Sequence, residues 1–128
     1  MNKYIGLPYK NLGRGFDGVD CYGLFWLIYK EERGILLPDF TELLYDKKWY
    51  KTENHILDNI DELWTKVSIY KKYDAIIFFN SGNVANHIGI YIGDDKFIHI
   101  TENSTSMISR LDGYWSSKIY EVIRYNGN

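Results

Sequence analysis

The stretch that most constrains this chain is a pair of alternating segments on either side of Gly93-Asp94-Asp95. In His87-Ile88-Gly89-Ile90-Tyr91-Ile92 the isoleucines fall at even numbers, with His87, Gly89 and Tyr91 at odd ones. Lys96-Phe97-Ile98-His99-Ile100 repeats the pattern, with Ile98 and Ile100 set against Phe97 and His99. Successive side chains on a strand point to opposite faces of a sheet, so a period of two reads as strand. The glycine and aspartates between them are a turn signal, and the whole reads as a hairpin. Partners across a hairpin share a face. For isoleucine to meet isoleucine, partner numbers must sum to an even value, which requires a loop of odd length. A three-residue loop, Gly93 to Asp95, sets Gly89 opposite His99. His87 is then a diagonal neighbour of His99, about 7–8 Å away between backbones and within reach of its ring. Gly89 has no side chain and leaves room between the two imidazoles.

The rest of the chain supplies the sheet's other strands and what covers it. Asp74-Ala75-Ile76-Ile77-Phe78-Phe79-Asn80 is a short continuous apolar run, which reads as a strand buried on both faces. Ser81-Gly82-Asn83 is a turn. Residues 106–110 and 119–124 look like further strands, making about five in all. Ahead of them, Tyr22-Gly23-Leu24-Phe25-Trp26-Leu27-Ile28-Tyr29 is apolar almost throughout and Gly34 is a stop signal. With Asp20 as cap, a helix should run from Cys21 to about Arg33, buried on most of its surface. Residues 42 to about 65 are helical in pattern but patchy. Leu43, Leu44 and Trp49 suggest one short helix, and Ile56, Leu57, Ile60, Leu63 and Trp64 a better one, with His55 a surface residue at its start. Residues 11–18 read as a glycine-rich loop, and Tyr4, Ile5, Leu7 and Tyr9 should pack the first turns against the core. Helices first and antiparallel strands second imply an α+β fold, one domain over residues 1–128.

Charge narrows the partners. The net charge is −2 with no strong bias between the halves, which argues against nucleic acid or an anionic membrane. No run reaches transmembrane length. Met1-Asn2-Lys3 leads straight into Tyr4-Ile5-Gly6-Leu7-Pro8-Tyr9 with no signal-peptide pattern, so synthesis in the cytosol is expected. A single cysteine cannot form an internal disulfide.

That cysteine, Cys21, falls in the first turn of the predicted helix. A helix N-terminus carries roughly half a positive charge. A thiol there ionises more readily, and the unpaired first-turn amides can receive a developing oxyanion. Taken alone, Cys21 is more simply a small core residue. The two histidines change the balance. Nucleophilic catalysis by cysteine needs a thiolate, a base beside it and a third group that orients the base. His87 would take the thiol proton and later protonate the leaving amine, and His99 would fix the tautomer of His87. One cysteine and two histidines could also ligate zinc, but no fourth ligand and no finger-like spacing is evident, so neither metal nor cofactor is expected.

These residues resemble the NlpC-type cell-wall cysteine peptidases of the papain-like superfamily, over most of the chain. Ile5-Gly6-Leu7-Pro8-Tyr9 and Asp20-Cys21-Tyr22-Gly23-Leu24 are similar to that family's G-x-P-Y and D-C-S-G-L. Gly34-Ile35-Leu36-Leu37-Pro38 is similar to G-I-x-L-P, and Tyr73-Asp74-Ala75-Ile76-Ile77-Phe78-Phe79 stands where G-D-L-V-F-F is usual. His87 to Gly93 and Phe97-Ile98-His99 resemble H-V-G-I-Y-I-G and F-I-H. The resemblance implies a papain-like fold, with the thiol helix packed on a C-terminal antiparallel sheet. It implies Cys21 as nucleophile, His87 as base, His99 as orienting residue, Tyr9 as accessory hydroxyl and Asp20 as a contact to the free amine of a stem peptide. The implied substrates are amide bonds of peptidoglycan stem peptides. Two positions depart from the pattern. Tyr22 replaces the family's serine and should bear on substrate recognition, and Tyr73 replaces a glycine. An aromatic at position 22 resembles the variant found in phage tail assemblies, so other tail proteins are expected partners and the virion tail an expected location. The alternatives are a structural tail subunit with a vestigial site, suited by twelve tyrosines and four tryptophans, and a papain-like acyltransferase.

Overall fold

The computed structural model describes residues 1–38, 63–79 and 87–127. The helix readings between residues 42 and 62, with His55, lie outside the described residues. Helix α1 runs Cys21–Arg33, and its residues from Cys21 through Tyr29 are all buried. Its two ends are set as the sequence suggests. Asp20 is extended and its carboxylate accepts the Gly23 N–H at 2.7 Å, which satisfies one of the orphan donors of the first turn. At the other end Gly34 adopts the left-handed conformation, φ 64°, and returns its N–H to the carbonyls of Lys30 and Tyr29.

The glycine-rich loop is more ordered than expected. It folds into a small antiparallel pair, β1 (Arg14–Gly15) and β2 (Gly18–Val19), that rests on the start of α1. The contact is backbone against backbone. A Cβ on Gly23 would lie 1.9 Å from the carbonyl oxygen of Gly13, so only glycine fits two residues after the cysteine.

Among the described residues the main sheet has six antiparallel strands. They are β3 (Trp64–Lys66), β4 (Ala75–Phe78), β5 (His87–Gly93), β6 (Lys96–His99), β7 (Met107–Arg110) and β8 (Ile119–Tyr125), in the order β3-β8-β4-β5-β6-β7. A one-turn helix, α2 (Gly113–Ser116), precedes β8. The fold is α+β with the thiol helix on the sheet, as expected, but with β3 as an additional strand. Trp64 therefore belongs to a strand and not to a helix end. It pairs with Tyr125, and its ring packs on Phe25, Tyr29 and Tyr125. Those aromatic contacts hold the half-buried tryptophan on the sheet, so packing overrides the local helical pattern.

The sheet separates two apolar layers. On one face Ala75, Ile77, Ile88, Ile90, Ile98, Ile100 and Ile123 meet α1. On the other, Ile76, Phe78, Tyr91, Phe97 and Val122 pack with Trp115 of α2. The hairpin between β5 and β6 corrects the loop length read above. Its turn is two residues, Asp94 and Asp95, with φ 54° and 57°. Such a turn pairs Gly93 with Lys96, whose numbers sum to an odd value. A bulge at Ile92 inserts one residue, after which Tyr91 meets Phe97 and Ile90 meets Ile98. The even sum is reached, but by turn and bulge together.

One ion pair ties the sheet's centre. The buried carboxylate of Asp74 accepts two bonds from the Arg124 guanidinium, each 2.8 Å, and one from the Lys71 N–H at 2.7 Å. The residue before it, Tyr73, has φ 77°. This is a conformation that glycine adopts without strain, and its carbonyl receives the Tyr29 hydroxyl of α1. Among the described residues no helix is long and apolar enough to cross a membrane.

Candidate active site

The two imidazoles meet. His87 Nε2 and His99 Nδ1 are 2.9 Å apart, and His99 Nε2 is 2.9 Å from Ser109 Oγ. Both histidines project from the sheet face away from α1, as their odd numbers require. Trp115 covers them, stacked on His87 with ring centres 5.7 Å apart and edge-on to His99 at 4.7 Å. Phe78 and Phe97 close the sides.

The thiol arrives from the other layer. Tyr91 exchanges both of its backbone bonds with the β4 side, to Asp74 and Tyr73. By alternation, the even-numbered residues of β5 aim their amides at β6. Pairing of β5 with β6 stops at Ile90 and Ile98, so the amide of Ile88 lies beyond the ladder. It bonds the sulfur of Cys21 instead, and the Tyr22 amide of the helix's first turn bonds the same atom. The helix start thus reaches the sheet where two strands part, one residue along β5 from His87.

Burial controls the charges. Cys21 is 7% exposed, His87 9% and His99 1%. Desolvation pushes the thiol up to about 12, helped by the Asp20 carboxylate and opposed by the amides of Ile88 and Tyr22 and by Arg14. The expected easy ionisation at the helix start is therefore reversed in this state, because loss of hydration outweighs the helix end. Desolvation likewise pulls His87 down to about 3, with further lowering from His99 and Lys118, and His99 down to about 4. Near pH 7 all three groups are neutral.

Asp20 is 0% exposed. Its carboxylate is spent on the Gly23 and Leu12 amides and on the Arg14 guanidinium at 3.0 Å. Burial raises its pKa against the pull of Arg14 and those amides. This residue, read from the sequence as both cap and substrate contact, is placed here as a cap. Tyr22 turns its ring into the core and donates its hydroxyl to the Pro38 carbonyl at 2.8 Å, with the Arg14 guanidinium over its face. Tyr9 is half-buried, bridged to Val19 two residues before the thiol. Two neighbours were not anticipated. Ser109 shares the odd-numbered face with His99, since His99 pairs with Met107 and Phe97 with Ser109. Parity along β7 could have pointed to it. Trp115 sits in a helix too short to show a period. Among the described residues no group of three His, Cys, Asp or Glu could hold a metal ion.

Comparison with known proteins follows the same lines. The profile of the NlpC/P60 family matches residues 6–124. The chain is similar to a Gamma-DL-glutamyl hydrolase of Bacillus subtilis, 32% identical over 127 residues, covering 97% of this chain and 27% of that protein. It is similar to the Murein DD-endopeptidase MepS/Murein LD-carboxypeptidase of Escherichia coli K12, 27% identical over 129 residues, covering 97% of this chain and 60% of that protein. The chain therefore spans only part of the curated relatives it matches. Among solved structures, the NlpC/p60 domain of the peptidoglycan hydrolase SagA superposes with a TM-score of 0.64 at 20% identity, covering 96% of this chain and 91% of that one.

Proposed function

This chain belongs to the NlpC/P60 family, and we propose that it is a thiol peptidase hydrolysing amide bonds of peptidoglycan stem peptides. One observation carries the reading. A hydrogen-bonded imidazole pair lies beside the amide that holds the only thiol, and that thiol opens a helix. The relatives' names support it, since one is a glutamyl hydrolase and another a murein endopeptidase.

In this reading Cys21 is the nucleophile and His87 the base. The thiol proton passes to Nδ1 of His87, the nitrogen not engaged with His99. Sulfur adds to the amide carbonyl, whose oxyanion is held by the first-turn amide of Cys21. The C–N bond breaks, His87 returns its proton to the leaving amine, and a thioester remains. Water, deprotonated by the same ring, hydrolyses it and restores the thiol. His99 orients His87. Trp115 lies against the imidazolium formed midway, where its ring face favours a cation. Asp20 and Tyr22 act through position, fixing the helix start, and Tyr9 supplies a hydroxyl near it. The setting proposed is a phage or phage-derived tail, on the aromatic residue at position 22. Mass spectrometry of purified tail particles tests that setting, and its absence from them would remove it.

The reaction is tested on purified cell wall. Cys21→Ala and His87→Ala, each folded by circular dichroism, should release no stem-peptide fragments while the parent does. Release by either variant at the parent's rate would reject the assignment. A second reading, a structural tail subunit with a vestigial site, is favoured by the neutral, buried thiol. Alkylation at pH 7 separates the two. A sulfur unreactive both with and without wall fragments would support the structural subunit.

A further inference from the structure

We propose that Ser109 is a positioning residue that sets the tautomer of the imidazole pair through its contact with His99. The proposal rests on the roles of Cys21 and His87 given above, and it adds a group on another strand to them.

The polarity of the chain can be derived step by step. Burial keeps both rings neutral near pH 7, so each carries a single N–H. To receive the thiol proton at Nδ1, His87 must carry its own hydrogen on Nε2. That hydrogen points at His99 Nδ1, 2.9 Å away, so this nitrogen must be bare. His99 then carries its hydrogen on Nε2, which faces Ser109 Oγ at 2.9 Å. Ser109 must accept.

The opposite orientation disables the site. If the serine hydroxyl donated to His99 Nε2, His99 would carry its hydrogen on Nδ1 and give it to His87 Nε2. His87 would then hold its hydrogen on Nδ1 and could not take one from sulfur. A hydroxyl can donate or accept, so its environment decides. Ser109 is half-buried on the last strand of the sheet, where its own hydrogen can be given to water while its lone pair stays on His99. His99, 1% exposed, has no such choice.

The experiment uses the full chain with 15N-labelled histidine, as parent, Ser109→Ala and Ser109→Thr, near pH 7.5. Long-range 1H–15N correlation reads which nitrogen of His99 and His87 bears hydrogen. The parent and Ser109→Thr should hold both rings as the Nε2–H form. Ser109→Ala should show a mixture, and its kcat on wall fragments should fall roughly five- to ten-fold, the worth of one hydrogen bond, with KM unchanged and the threonine restoring it. A parent with hydrogen on Nδ1 of His99, or an alanine variant with the parent's tautomers, would overturn the proposal. If the parent cleaves no wall, the spectra still decide the role of Ser109. If the spectra fail while cleavage stands, Ser109 falls and the peptidase reading remains.

Discussion

The two faces of the central sheet are built to different ends. The face under α1 is aliphatic, with Ile77, Ile88, Ile90, Ile98 and Ile100 packed on the helix. The far face is aromatic and carries polar groups, with Phe78, Phe97 and Trp115 enclosing two histidines and a serine. The helix brings the sulfur from the first face and the strands bring the imidazoles on the second. They approach each other only where β5 and β6 stop pairing. One layer supplies stability and delivers the thiol, while the other, in the proposed reaction, holds protons in order.

If that division is right, substitutions on the two faces should fail differently. Among single substitutions, the largest expected loss of stability is on the aliphatic side. Ile77→Ala should lose about 2–5 kcal/mol in urea denaturation, because Ile77 is fully buried under α1. The His87 and His99 signals of the folded fraction should not move; a shift in them would show that the layers are not separable.

Acid and alkali should then act on opposite faces. The histidines' folded pKa values lie below 6.5, so the unfolded chain binds protons that the folded one refuses. Stability is full above about 6.5 and falls as pH drops toward 3, by up to about 1.4 kcal/mol per unit for each ring. The thiol has the reverse sign. Its folded pKa lies above 9.0, so its contribution is full below 9.0 and is lost as pH rises toward 12. Denaturation against pH measures both limbs. Gln at 87 and 99 together should flatten the acid limb alone, and Cys21→Ala the alkaline limb alone.

A smaller change tests the cover. Trp115→Leu removes the ring over both imidazoles, and their pKa values should rise toward 6.5 by about one unit in an NMR titration. Unmoved values would mean that the strands alone keep the pair dry. The smallest effect belongs to Tyr73, whose left-handed backbone links the sheet to α1 through the Tyr29 hydroxyl. Tyr73→Gly should relieve strain yet lose the ring's contact with Arg33, for a net gain of no more than about 1 kcal/mol by thermal denaturation.

The aliphatic face was easier to read in advance, for physical reasons. Alternating isoleucines and a capped apolar run have one good solution each, so α1 and the β5–β6 hairpin follow from Asp20, Gly34 and the parity of Ile88 to Ile100. Gly93-Asp94-Asp95 gave the right register for an incomplete reason, since turn length and bulge trade one residue for another without leaving a mark. Trp64 misled because a single aromatic at the end of a patchy stretch fits helix or strand equally, until its partners Tyr29 and Tyr125 are known. On the far face, Ser109 and Trp115 belong to no motif, and their meaning comes from neighbours distant in the chain. The neutral thiol was hidden as well, since a helix start predicts ionisation, while the closed surroundings of Cys21 and the neighbouring Asp20 carboxylate oppose it.

The proton chain from His87 ends on β7, an edge strand that among the described residues pairs with β6 alone. Border strands loosen before the middle of a sheet does. Gentle warming should therefore unseat the serine and mix the imidazoles' tautomers while α1 and β4 remain intact, so the proposed catalysis would fade several degrees below the melting point.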